Sequence, residues 1–111
     1  MNKQSINNWI IRFMDKWERY KVRSWVYYHP YDYLVLNEVR VPEEQRSKGY
    51  GTKFMNELIK FADKNKIRCA LTPKLCYGAS SLKRLTGFYK RFGFRTNRNK
   101  MIIETMVRKP K

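Results

Sequence analysis

The chain has 111 residues, 42% of them hydrophobic and 15% aromatic, and its 25 Lys and Arg against 9 Asp and Glu give a formal net charge of +16. This length allows one domain with a modest core, and the content of large apolar residues excludes a disordered chain. The positive excess favours polyanionic partners such as coenzyme phosphates, nucleic acid or acidic protein surfaces, although a solvated cationic surface would also explain it.

The remaining composition indicates a protein without a membrane segment or a metal site. Arg12 and Asp15 interrupt the N-terminal segment, so it contains no signal-peptide core, and no apolar run reaches the length of a membrane span. The two cysteines, Cys69 and Cys76, and the single histidine, His29, have no metal-ligand spacing. We therefore expect a protein in the reducing cytoplasm.

The first part of the chain predicts a helix and then a hairpin. Apolar residues recur at helical spacing over residues 5–21, with Ser5 as the N-cap. Aromatic and β-branched residues predict strands at 23–28 and 33–41, joined by a turn in which His29 has a structural role. Pro42 ends the second strand.

The rest of the chain alternates helices and strands. The pattern predicts a helix at 49–64, a strand at 67–71 and a loop at 74–80. A second helix begins at Ser80 or Ser81 and ends at Gly93. Two last strands, 94–96 and 101–107, flank a turn at Arg98-Asn99. The order predicts a single α/β domain over residues 1–111.

Residues 46–51 (Arg-Ser-Lys-Gly-Tyr-Gly) form a basic glycine turn between a predicted strand and a predicted helix. Free N–H groups of a first helical turn and the positive end of the helix dipole favour an anion. The glycines let the backbone approach that anion, and Arg46 and Lys48 add charge. The chain lacks Gly-x-x-x-x-Gly-Lys-Ser/Thr, which argues against a common nucleotide triphosphate loop. The turn therefore predicts a phosphate site of another kind.

Three segments occur in an order and spacing that is similar to the GCN5-related N-acetyltransferase superfamily. That family has a strand ending in Leu/Val-x-Val, then Arg/Gln-x-x-Gly-x-Gly/Ala at the start of a helix, and later a helix ending in Tyr-x-x-x-Gly-Phe. The corresponding segments here are Val39-Arg40-Val41, residues 46–51, and Tyr89-Lys90-Arg91-Phe92-Gly93-Phe94. The resemblance covers residues 33–107 and implies a mixed sheet flanked by helices, with the N-terminal part shortened relative to many members.

The resemblance also implies a site for acetyl-CoA, used as a co-substrate. In the family the glycine turn binds the pyrophosphate, and the pantetheine arm lies beside the preceding strand, where two parallel strands part. Carried over, the backbone of Val39 and Val41 would contact the pantetheine and the acetyl group. The residues that would surround the phosphates are Arg46, Ser47, Lys48, Gly49, Tyr50, Gly51 and Thr52.

Two residues are catalytic candidates by the same resemblance. Tyr89 corresponds to the tyrosine that donates a proton to the departing thiolate, and its alternative role is core packing. Glu38 lies where many relatives carry a carboxylate near the acceptor amine, and its alternative role is an ion pair with Arg40 on a solvent-facing strand. His29 and Tyr77 are further candidates for the base.

The chain departs from the family in two places. Relatives often carry a coenzyme-contacting Asn seven residues before the tyrosine, where this chain has Leu82. The short N-terminal part leaves the acceptor site open or completed by a second subunit, that is, a homodimer. Small versions of this kind are common among phage and mobile-element proteins.

The expected function is acetyl transfer from acetyl-CoA to an amine on a macromolecule, such as a lysine. A positively charged protein repels free polyamines, so an acidic acceptor is expected. The alternative is a catalytically weak binding module of the same fold that uses its basic surface on nucleic acid or an acidic protein. A nucleic-acid-binding domain of another fold is disfavoured because the chain has no zinc, helix-turn-helix or RNP signature.

Overall fold

A computed structural model describes residues 2–46, 48–74 and 81–111. The helices and strands, numbered along the chain, are α1 (Lys3–Glu18), β1 (Arg23–His29), β2 (Tyr33–Arg40), α2 (Glu43–Arg46), α3 (Tyr50–Lys64), β3 (Arg68–Leu71), α4 (Leu82–Arg91), β4 (Arg95–Thr96) and β5 (Met106–Arg108).

The strands form one five-stranded mixed sheet in the order β1-β2-β3-β5-β4. Only β2 and β3 pair in parallel, through the crossover that contains α3, and the other neighbours are antiparallel. This confirms the predicted α/β class with a mixed sheet and flanking helices.

The main core lies between one face of the sheet and the helices, since the buried residues of α1, α3 and α4 all belong to it. Trp9 of α1 stacks on Phe61 of α3, with ring centroids 3.8 Å apart. Glu57 of α3 accepts hydrogen bonds from Lys16 Nζ and Trp17 Nε1 of α1. The two helices are thus joined by ring packing and by the hydrogen bonds that the Glu57 carboxylate accepts.

The opposite face of the sheet has a much smaller covering. Its buried cluster contains Tyr33, Val35, Ala70 and Ile102, and no residue of a described helix. Ile102 comes from the loop at 97–105, which Asn97 organises by donating from its Nδ2 to the carbonyls of residues 99, 102 and 104. Most of this face along β1 therefore has no helix over it.

A β-bulge at Asn37 changes the direction of side chains along β2. Trp25 pairs with Glu38 while the next residue, Val26, pairs with Leu36, so Asn37 is the extra residue. Before the bulge Leu36 faces the main core, and after it Val39 packs there. Glu38 and Arg40 consequently lie on the opposite face of the sheet, along which β1 has no described helix over it (the helix-free face). They are thus separated from Val39 and Val41, as strand alternation predicts.

Three helices end at a residue in the left-handed conformation. These residues are Lys21 (φ 62°), Lys66 (φ 57°) and Gly93 (φ 95°). In each case the next residue donates its N–H back to a carbonyl five residues earlier, as in Val22 to Trp17 and Ile67 to Ala62. Only the glycine among the three signals such an end in a sequence.

Several predicted boundaries are wrong. The N-cap of α1 is Asn2, whose Oδ1 accepts from the Ser5 N–H at 2.8 Å, so Ser5 lies inside the helix. The short α2 was not expected. The strand predicted at 101–107 is shorter, because Asn97 draws the preceding carbonyls into the loop, and the turn lies at 99–102 instead of Arg98-Asn99. The N-cap of α4 is Ser81, one of the two residues expected.

Candidate active site

The glycine turn leads into α3 through a left-handed residue. Gly49 is the N-cap of α3 with φ 73°, and an added Cβ there would meet no atom within 4 Å. Its carbonyl accepts from the Lys53 N–H, which starts the helical ladder. The first turn of α3 contains no acidic residue. Among the described residues, the geometry leaves open space beside the first-turn N–H groups of α3, at the positive end of its dipole.

Of the predicted phosphate-binding residues, five lie in the described part with their side chains, namely Lys48, Gly49, Tyr50, Gly51 and Thr52. Ser47 and the side chain of Arg46 lie outside it. Lys48 and Thr52 are exposed. Tyr50 packs on the main core, with its ring 5.3 Å from Tyr20 and 6.2 Å from Trp17. Its ring thereby ties the turn to α1.

The two sequence motifs meet at Gly51. An ideal Cβ on Gly51 would lie 3.8 Å from Cζ of Phe88 in α4 and 3.8 Å from Cγ2 of Val41. The end of β2, the start of α3 and the middle of α4 therefore converge at one point. Phe88 was not assigned a role from the sequence, although it directly precedes the tyrosine of the second motif.

The pairing of β2 with β3 ends beside this point. Their parallel pairing runs from Tyr33–Arg68 to Leu36–Leu71 and stops there, while β2 continues to Arg40. The bulge at Asn37 follows directly, and a bulge bends and twists its strand away from a neighbour. The pairing of β2 with β3 thus ends four residues before β2 itself ends. The parting of parallel strands expected next to Val39 and Val41 stays a prediction, because β3 itself ends at Leu71.

Tyr89 belongs to the main core and is only 7% exposed. The Phe94 N–H donates to the Tyr89 carbonyl at 3.4 Å, and the Gly93 N–H donates to Lys90 at 3.0 Å. The Tyr89 and Phe94 rings also pack, with centroids 6.1 Å apart. These are the two bonds and the apolar contact of a Schellman helix end. The spacing Tyr-x-x-x-Gly-Phe has this structural basis whatever the hydroxyl does.

The end of α4 is held by Arg108 of β5. Arg108 is 3% exposed, and its Nε donates to the Phe92 carbonyl at 2.6 Å. Its two terminal nitrogens bind both oxygens of Asp63 in α3, at 2.6 and 2.9 Å. The bonds from Arg108 hold the pKa of Asp63 below its usual value. One buried guanidinium thus joins α3, α4 and the sheet. No role was assigned to Arg108 from the sequence.

Glu38 and Arg40 form an ion pair on the helix-free face, with Arg40 Nε donating to Glu38 Oε1. The Glu38 side chain keeps 37% of its exposure. The pair expected as the alternative role of Glu38 is therefore present, and the carboxylate is still accessible.

The remaining candidates are placed as follows. His29 ends β1, where its Nδ1 accepts from the Tyr31 N–H at 3.0 Å, as a structural role requires. Cys69 is buried, and burial raises the pKa of its thiol to about 12. Leu82 is exposed at the start of α4. The base candidate Tyr77, Cys76 and most of the predicted loop lie outside the described residues.

Within the described ranges, no three His, Cys, Asp or Glu side chains come together as metal ligands. None of the helices in those ranges has the length and apolarity that a bilayer span requires.

Two comparisons with known proteins give matches. The family model of the acetyltransferase (GNAT) family matches residues 11–94. The crystal structure of the anti-CRISPR protein AcrVA5 is similar in fold, with a TM-score of 0.56 and 17% sequence identity over 76% of this chain and 87% of that chain. No curated protein sequence matches significantly.

Proposed function

Since this chain belongs to the acetyltransferase (GNAT) family, we propose that it transfers an acetyl group from acetyl-CoA to the nitrogen of an amine. The observation that carries the proposal is the convergence at Gly51, where Val41, directly after β2, and Phe88 of α4 approach the start of α3 beside the point at which the pairing of β2 with β3 ends. The start of α3, which suits a phosphate, and the end of β2 lie next to one another there. That combination suits a coenzyme with a charged end and a long amide-containing arm.

In this proposal the pyrophosphate lies at the N-terminus of α3. The first-turn N–H groups and residues 46–52, which include Lys48, Gly49 and Thr52, would hold it. The arm would lie along the backbone of Val39 and Val41, because its amides match strand hydrogen bonds. The open space beside Gly49 supports this placement.

The chemistry requires two proton movements. An acceptor amine with a pKa near 10.4 must lose a proton before its nitrogen attacks the thioester carbonyl carbon. We assign that proton to Glu38, which lies just before the proposed arm-binding residues and is accessible. The carbon–sulfur bond then breaks, and we assign protonation of the departing thiolate to the Tyr89 hydroxyl, which regains a proton from the attacking nitrogen as the amide forms.

The acceptor in this proposal is an amine on an acidic macromolecule, such as a lysine, because the net charge of +16 repels small free cations. We further propose that the protein acts in a cytoplasm and comes from a phage-like element. The likeness in fold to an anti-CRISPR protein supports a phage-like source. Completion of the acceptor site by a second copy of the chain belongs to the same proposal.

The proposal is tested first by binding of acetyl-CoA. A ligand that binds only the folded state stabilises it and so raises the melting temperature. The added stability is about 2.7 kcal/mol when the ligand concentration is a hundred times the dissociation constant. We expect Gly49→Glu to abolish this shift, since it puts a negative charge against the phosphates. Gly49→Ala is the matched control, because both variants strain the left-handed backbone by about 1–2 kcal/mol and only one adds charge.

Gly49→Ala should therefore keep most of the shift from acetyl-CoA. Absence of any shift in the parent protein at millimolar acetyl-CoA would reject the acetyltransferase proposal. Mass spectrometry of a lysate incubated with acetyl-CoA and the protein would then identify the acceptor.

A further inference from the structure

A row of ring side chains lies along β1 on the helix-free face of the sheet. Since Val26 belongs to the main core, alternation places Arg23, Trp25, Tyr27 and His29 on the opposite face. Trp25 is 56% exposed, and its ring lies 6.2 Å from that of Tyr27. A tryptophan this accessible on a sheet surface has no packing role in the core.

The row continues through the turn after β1. The His29 ring stacks on Tyr33 at 4.4 Å and lies 5.2 Å from Tyr31, which is 65% exposed. Tyr33 itself is buried and donates to Glu104 at 3.3 Å. Rings therefore follow one another from the exposed Trp25 to the exposed Tyr31.

Cationic cavities flank both ends of the row. The first has a volume of about 480 Å³ and is lined by Glu18, Lys21, Arg23, Arg40, Val41 and Pro42. Arg23 and Arg40 are directly opposite in the register of β1 and β2. Like charges directly opposite across two strands repel, and an anion between them would relieve that repulsion.

The second cavity, of about 260 Å³, lies at the other end of the row. It is lined by Tyr31, Asp32, Tyr33, Lys66, Arg68 and Pro110. Arg68 is directly beside Tyr33 in the parallel pairing of β2 and β3. A cation therefore follows the last exposed ring, as Arg23 precedes the first.

Three of the carboxylates that border this surface are already engaged. Glu38 is paired with Arg40. Asp32 lies 3.6 Å from Lys3 and accepts from the Tyr28 hydroxyl. Glu104 accepts from Tyr33. Glu18 is the fourth, in the first cavity, where three cations surround it. The surface keeps a positive excess.

We propose that this surface, from Arg23 and Arg40 through the rings to Lys66 and Arg68, binds single-stranded nucleic acid. Exposed aromatic rings stack on unpaired bases and cations follow the phosphates, which is how sheet surfaces hold single strands. β1 has 7 residues and so spans about 23 Å, room for several nucleotides. A duplex offers no unstacked bases, and the same surface of a second copy would bring like charges against this one.

The experiment measures fluorescence anisotropy of a labelled twelve-nucleotide oligo(dT) and of oligo(U) with the whole chain. We expect Trp25→Ala to weaken binding at least about fivefold, the low end for loss of one stacked base. Ile11→Ala, which removes an exposed apolar side chain from α1, is the matched control and should leave affinity unchanged. Tyr31→Ala is the second test variant if Trp25→Ala lowers the melting temperature.

A second experiment compares the salt dependence of oligonucleotide binding by Arg23→Glu with that of the control variant, Lys60→Glu on α3. The first should reduce the slope of log affinity against log salt by about one, and the second should not. The shift in melting temperature caused by acetyl-CoA should be unchanged in Trp25→Ala, so this proposal and the proposed function fail separately.

Equal affinities of Trp25→Ala, Tyr31→Ala and Ile11→Ala for the oligonucleotides would overturn the proposal. So would competition by polyglutamate as strong as that by oligo(dT) at equal charge, because the surface would then suit an acidic protein. Equal binding of a duplex of the same length would also overturn it, since stacking on the rings would not be involved.

Discussion

At the residue scale, the tyrosine of the second motif combines a structural position with a proposed chemical role. The ring and the carbonyl of Tyr89 stabilise the end of α4, as the contacts with Phe94 show. Neither contact uses the hydroxyl. A substitution that removes only the oxygen therefore separates the two roles.

Tyr89→Phe should leave the melting temperature nearly unchanged, because ring packing and backbone bonds remain. Loss of a general acid typically costs about a hundredfold to ten-thousandfold, so kcat should fall by at least about tenfold even where water substitutes in part. Steady-state kinetics with acetyl-CoA and an amine measure this. A kcat equal to that of the parent protein would leave Tyr89 with packing alone.

The pair of Asp63 and Arg108 makes stability depend on pH in one direction. The pKa of Asp63 is lowered in the folded protein, chiefly by the hydrogen bonds from Arg108. The stabilisation is therefore present above the unfolded value, near 3.9, and is lost as the pH falls through the folded pKa.

Asp63→Asn should lower the free energy of unfolding at pH 7 by about 3 kcal/mol, because it leaves Arg108 buried without a counter-charge. The difference from the parent protein should shrink as the pH falls below about 4. Denaturant titrations at pH 7, 5 and 3 measure it. Asp15→Asn, at an exposed position on α1, is the control, and equal losses in both variants would contradict the role of Arg108.

At the scale of elements, α4 contains two glycines in opposite situations. Gly93 has φ 95°, and an added Cβ would lie 3.2 Å from Arg108 Nε. Gly87 lies inside the helix, and its added Cβ would meet nothing within 4 Å. The same substitution should therefore change stability in opposite directions at the two positions.

Gly93→Ala should destabilise the protein by about 1–2 kcal/mol or more, from the left-handed backbone and the displaced guanidinium. Gly87→Ala should stabilise it by up to about 1 kcal/mol, since alanine favours a helix interior. Thermal unfolding of both variants compares the two effects. Stabilisation of Gly93→Ala would mean that α4 does not end as described.

At the scale of the whole molecule, the net charge of +16 should speed the association of the protein with an acidic acceptor. Arg95 is unsuitable for a test, because its Nη1 donates to the carbonyls of Lys90 and Phe94 at the end of α4. Arg98 and Lys100 are exposed in the loop at 97–105 and take no part in the described ion pairs. Both add positive charge to the surface, and neither caps a helix nor packs in the core.

Reversal of both to Glu should lower kcat/KM for a lysine peptide flanked by Asp and Glu at low salt. The effect should fade at high salt, where the screening length is about 3 Å at 1 M. The control pair is Lys60→Glu with Lys64→Glu on α3, and a small neutral amine tests the reaction without long-range attraction. Unchanged kinetics with the acidic peptide would make the positive excess a solvated surface only.

Local sequence patterns predicted much of this fold. The helical spacing of Ile6, Ile10 and Phe13 and the apolar run after Asp32 placed the main helices and strands, since periodicity records which face is buried. The glycine turn and the tyrosine motif identified the family, whose model matches residues 11–94. The helix ends near residues 21 and 64 were predicted, but the left-handed conformation of Lys21 and Lys66 was not, because glycine normally marks that conformation in a sequence.

The sequence by itself determined the α/β class and the family, and it predicted the residues of the proposed coenzyme site, because these depend on spacing within continuous segments. Only the tertiary structure decided that Asn37 forms a bulge, that Arg108 joins α3 to α4, and that the rings of β1 stand on a face without helices. Register and the choice of sheet face arise from pairing between distant segments. One extra residue in a strand reverses every later side chain, and no local pattern records where that occurs.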